Sequence, residues 1–109
     1  MGEKNNYLEF EAPCCYSVRT CNTTADYVIS LRTARILRRI DAVRCYRGHT
    51  VRYKFYPSAD VALINVYKSN RGVHYIWIKW KPDNVSVDEV MEKVRRALGL
   101  AEEIDVRVR

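Results

Sequence analysis

Residues 73–81, VHYIWIKWK, constrain the fold more than any other stretch of the chain. Apolar and polar positions alternate there with period two, the pattern of a half-buried β-strand. His74, Ile76, Ile78 and Trp80 form one set of side chains and read as a core face. Val73, Tyr75, Trp77, Lys79 and Lys81 form the other set, which mixes flat rings with ammonium groups.

Two further strands precede this one at short spacing. Residues 51–56 set Val51, Tyr53 and Phe55 against Arg52, Lys54 and Tyr56. Residues 61–68, VALINVYK, are apolar on both sides and belong in the middle of a sheet. Pro57-Ser58-Ala59-Asp60 supplies turn chemistry between the two. Asn70-Arg71-Gly72 offers a hairpin turn before the third strand, with Gly72 free to take positive φ. The expectation is a three-stranded antiparallel meander. Residues 6–12, NYLEFEA, and 103–109 alternate in the same way and add an N-terminal and a C-terminal strand. Residues 14–21 read as a further strand or an extended loop.

Two helices are expected. Thr23-x-x-Asp26 fits a capping box, and after it Ile29, Ile36, Leu37, Ile40 and Val43 fall on one helical face. Arg32, Arg35 and Arg39 fall on another. The cap favours one helix over about 24–43 against the alternative division, a strand over 27–31 with the helix starting near Thr33. The second helix follows Ser86, with a Ser-x-x-Glu box ending at Glu89 and an apolar stripe of Val87, Val90, Met91, Val94, Ala97 and Leu98. Acids occupy its first turn, bases its last, and Gly99 stands at the position of a left-handed cap. Two helices with one apolar stripe each call for a two-layer α+β domain spanning 1–109, both helices packed on one face of the antiparallel sheet. The helix, three strands, helix order resembles that of double-stranded RNA-binding domains in topology. Those domains carry basic residues at the start of the second helix; this chain has Asp83, Asp88 and Glu89 there, so the resemblance implies no binding residue.

The other face of such a sheet is left to solvent or a ligand. It would carry Arg52, Lys54, Tyr56, Tyr75, Trp77, Lys79 and Lys81. Rings stack on bases and cations meet phosphate, so the expected partner is nucleic acid, single-stranded DNA or RNA with little sequence preference. A net charge of +6 agrees with a polyanionic partner, and arginine outnumbers lysine 13 to 6, so most cations can fork onto phosphate. The alternative is a protein–protein contact or homodimer formed through the same aromatic face.

Other chemistry is sparse. There is no glutamine, and charged residues make up 29%, which leans toward a thermophilic, archaeal source. Cys14, Cys15, Cys21 and Cys45 pack by default as small hydrophobes; in a hyperthermophile, Cys45 pairing with one of the other three becomes a competing expectation. Cys45-x3-His49 is the most metal-like spacing, but no CxxC accompanies it. The four glycines are not grouped into a phosphate loop, and no nucleophile–base–orienter set is identifiable. The expectation is a non-enzymatic protein without cofactor. No apolar run approaches the roughly 18 residues of a membrane span, and residues 1–11 have no apolar signal region. A cytoplasmic protein is therefore expected.

Overall fold

The structure is a computed structural model that describes residues 6–12, 14–15, 24–41, 43–44, 51–102 and 104–108. It holds β1 (Leu8–Ala12), β2 (Cys14–Cys15), β3 (Thr24–Ser30), β4 (Arg35–Asp41), β5 (Val43–Arg44), β6 (Val51–Phe55), β7 (Val61–Lys68), β8 (His74–Trp80), α1 (Val87–Leu98) and β9 (Val106–Val108). Among the described residues α1 is the single α-helix, and it is not long and apolar enough to cross a membrane.

Where a helix over 24–43 was expected, residues 24–41 form a β-hairpin. β3 pairs antiparallel with β4, joined by a turn over 31–34. The turn is held by Ala34 N–H donating to Ser30 O at 2.8 Å and Thr33 N–H donating to Ser30 Oγ at 3.0 Å, with Ala34 at φ 54°. The physical reason is visible in the stripe that argued for a helix. Three and four residues beyond Ile29 stand Arg32 and Thr33, so a helix would break its apolar face for a full turn there. As a strand, β3 turns Ala25, Tyr27 and Ile29 to one side and Asp26 to the other, all buried. The fold is thus sheet-rich α+β with one helix among the described residues, and the order on which the RNA-binding-domain resemblance rested is gone.

The main sheet has five strands in the order β4-β3-β7-β8-β9. β7 lies between β3 and β8, antiparallel to both, as its two apolar sides required. After β8 the chain crosses through α1 and returns as β9 parallel to β8. β6 does not join the meander. It pairs antiparallel with β1, Leu8 opposite Phe55 through Ala12 opposite Val51. β2 and β5 form a short parallel pair.

α1 forms as its sequence signals dictate. Ser86 Oγ accepts from Glu89 N–H at 3.1 Å, and Gly99 closes the helix in the left-handed region at φ 67°. Val90 and Val94, fully buried, pack on Ala25, Tyr27, Ile29, Ile64, Val66 and Ile76. Each such valine contributes about 1.5–3 kcal/mol by leaving water. The opposite face of the sheet is not left open as expected. The β1–β6 ribbon lies over part of it, burying Ala12, Tyr53 and Phe55 with Ile40 and Leu63. Tyr53 and Phe55 therefore face away from the helix, contrary to expectation. Trp80 also changes sides. Ile78 stands opposite Ile64 and Trp80 opposite Leu63, so Lys79 is the extra residue of a β-bulge. That insertion turns Trp80 toward Phe55, ring centroids 5.4 Å apart.

Candidate nucleic-acid interface

The seven residues expected to share one platform fall in four places. Arg52 and Lys54 stand on the ribbon, opposite Glu11 and Glu9 in register. Arg52 Nε lies 3.6 Å from Glu11 Oε2, and Lys54 Nζ sits 4.5 Å above the Tyr7 ring. Tyr56 is exposed just beyond β6, its ring tilted against Tyr7 at 5.7 Å. Facing acids thus offset the two ribbon cations before any phosphate arrives.

Lys81 serves the turn into α1. Its ammonium donates to Val85 O at 2.7 Å and Pro82 O at 3.4 Å.

Lys79 is interior. Its ammonium donates to Asp26 Oδ2 at 2.7 Å, Glu11 O at 3.1 Å and Tyr53 Oη at 3.2 Å, which uses all three of its donors. The Tyr53 hydroxyl donates to the same Asp26 oxygen, and Asn65 Nδ2 donates to Asp26 Oδ1 at 2.9 Å. Burial first, and then the hydrogen bond to Asp26, push the Tyr53 hydroxyl far above its ordinary range. Asp26 and Asn65 were missed at the sequence level. Their signal was a polar residue set in an apolar strand, Asp26 in ADYVIS and Asn65 in VALINVYK.

Tyr75 and Trp77 remain together on the part of the second face beyond the ribbon. Tyr75 stacks on Tyr67, its cross-strand partner, with centroids 6.1 Å apart and planes at 28°. Trp77 follows two residues along β8, 49% exposed. Arg107 on β9 lies opposite Tyr75 and interacts with it, while its guanidinium also pairs with Asp105 at 3.0 Å. Tyr67, Tyr75 and Arg107, with Arg71 from the β7–β8 turn, line a shallow depression of about 480 Å³. Tyr67, Arg71 and Arg107 were not among the expected site residues. Tyr67 was legible as the polar end of VALINVYK, but its register opposite Tyr75 was not. A second hollow, of about 450 Å³, is lined by Trp77 and Lys79 of β8 with Glu9, Phe10, Glu11 and Arg52 of the ribbon.

Among the described residues no group of three His, Cys, Asp or Glu side chains is arranged to hold a metal ion. The Cys45–His49 pair and the partner cysteine Cys21 lie outside the described residues, as does any side-chain statement on Cys14 and Cys15. No family model, curated protein or solved structure matches the chain.

Proposed function

We propose that the chain binds single-stranded nucleic acid with little sequence preference, through the Tyr67–Tyr75–Trp77 strip of the sheet. The observation that supports this reading is the half-exposed Trp77 ring in line with a stacked tyrosine pair that has Arg107 beside it. Base stacking on such rings contributes about 1–3 kcal/mol per base and tolerates any base. Arg107 and Arg71 supply the phosphate contacts, in place of Lys79, whose three donors are engaged inside the protein, and Lys81, which donates to carbonyls of the turn before α1. Arg107 keeps several N–H donors beyond those used by Asp105.

Titration with a mixed-sequence single strand at about 50 mM salt, where the phosphate contribution is large, tests the proposal. Trp77 fluorescence is quenched as a base stacks on it, and Trp77→Ala weakens binding by about 1–3 kcal/mol without unfolding the chain. If the strip pairs two copies of the protein instead, Trp77→Ala shifts a dimer toward monomer in sedimentation and the oligonucleotide produces no response.

A further inference from the structure

The five-stranded sheet ends at β4, its outermost strand. Arg35, Ile36, Leu37, Arg38 and Arg39 are exposed there in succession, and Arg32 is exposed on the turn before them. A β-bulge sets where two of these side chains go. Val28 stands opposite Arg38 and Ile29 opposite Ile36, so Leu37 is the extra residue. Leu37 and Arg38 together border a hollow of about 230 Å³ with Val28, Phe55 and Val61 in its lining and Lys54 and Tyr56 on the ribbon's side. Tyr56 at 60% and Leu37 at 58% are the most exposed of the large apolar side chains described. The acids nearby are few. Asp41 pairs with Arg39 at 2.6 Å, Glu9 stands opposite Lys54, and Asp60 borders the turn, where its carbonyl accepts Leu31 N–H at 2.7 Å. Arg32, Arg35, Arg38 and Arg39 stand against Asp41 and Asp60, which leaves the edge positive. Ile36 and Leu37 have no flat face on which a base could stack, so a nucleic acid would use the arginines and leave the aliphatic surface wet. An anionic lipid surface uses both, since headgroups attract cations and the acyl boundary takes up apolar side chains.

We propose that the β4 edge docks the protein on an anionic phospholipid surface. Ile36, Leu37 and Tyr56 enter the boundary between headgroups and acyl chains, an aromatic ring being well suited to that depth. Arg32, Arg35 and Arg38 lie among the headgroup phosphates. Arg38 donates to Lys54 O at 3.2 Å and keeps further N–H donors for phosphate. β3 and β7 separate this edge from the strand that carries Trp77, so the surface is independent of the single-strand reading.

Co-sedimentation with two kinds of vesicle tests this: phosphatidylcholine alone, and phosphatidylcholine with about 30% phosphatidylserine to supply the negative surface. The expected result is binding to the mixed vesicles and at least about tenfold weaker binding to the neutral ones. Arg35→Gln removes one headgroup contact and weakens binding about fivefold. Leu37→Ser removes apolar surface and weakens it by about as much. Both residues are exposed, so circular dichroism of the two variants matches that of the parent chain. Trp77→Ala leaves vesicle binding unchanged. The proposal is overturned if the protein stays in the supernatant with the mixed vesicles, or if it binds both kinds equally. It is equally overturned if Arg35→Gln weakens binding and Leu37→Ser does not, which would make the edge a surface for polyanions at large, nucleic acid included. Loss of binding in Trp77→Ala would move the contact to the other strand and overturn it too.

Discussion

Lys79 Nζ lies 2.7 Å from Asp26 Oδ2, where the Asp26 side chain is wholly buried and the Lys79 side chain is 8% exposed. An ion pair this deep is held by its full set of hydrogen bonds rather than by charge alone, since desolvating both ions offsets much of their attraction. Lys79→Met leaves Asp26 as an uncompensated buried charge and is expected to cost about 3–5 kcal/mol in urea unfolding. Adding Asp26→Asn removes that charge and is expected to recover roughly half of the loss. Additive losses in the double variant would mean the two groups do not act as a pair.

The same cluster sets an alkaline limit. Tyr53 keeps its proton in the folded state well above its ordinary value of 10.0. Above that pH the unfolded chain gives up the proton while the folded chain retains it, so stability falls as pH rises. Below that pH the tyrosine adds no slope. Tyr53→Phe is expected to cost about 1–2 kcal/mol at neutral pH and to flatten the decline above pH 10. Thermal melts of both proteins across pH 8–11 provide the comparison.

The hairpin over 24–41 distinguishes two isoleucines that a helix would treat alike. Ile40 is buried against Tyr53 and Leu63, whereas Ile36 is 40% exposed. Ile40→Ala is expected to cost about 2–5 kcal/mol and Ile36→Ala under about 1 kcal/mol. Arg35→Ala, on the exposed edge strand, is expected to be near neutral. Equal losses at the two isoleucines would contradict the strand assignment.

If the chain binds a single strand as proposed, salt dependence locates the side chains that meet phosphate. Arg107→Ala is expected to reduce the slope of log K against log salt by roughly 0.7 on a single strand for each phosphate no longer neutralised. Arg52→Ala and Lys54→Ala are expected to leave it unchanged, because Glu11 and Glu9 stand opposite them. The reverse order would move the binding surface onto the ribbon.

How much of this was legible follows the range of the interactions involved. α1 was readable because Ser86, Glu89 and Gly99 act within a few residues of one another. β7 was readable because burial on both sides leaves an apolar run whichever strands flank it. The partner of β6 was not, since nothing local states whether Tyr53 meets Phe10 or a residue of β7. Nor was the bulge at Lys79, which follows from the pairing of β8 with β7 and decides the side on which Trp80 packs. The site suffered most from this: Lys79 looked like a surface cation until its neighbours across three strands were in place.

The β1–β6 ribbon ties the start of the chain to its middle, with most of β1 facing solvent. Pairings that close a long loop form late, and segments with little burial open at low free energy. β1 is thus the strand expected to part from β6 while β3, β7 and α1 stay together. Its departure takes away the Glu11 carbonyl and lets water reach Lys79. Each such opening hydrates an ammonium two residues from Trp77, so a fluctuation of the first strand is expected to reach the exposed part of β8.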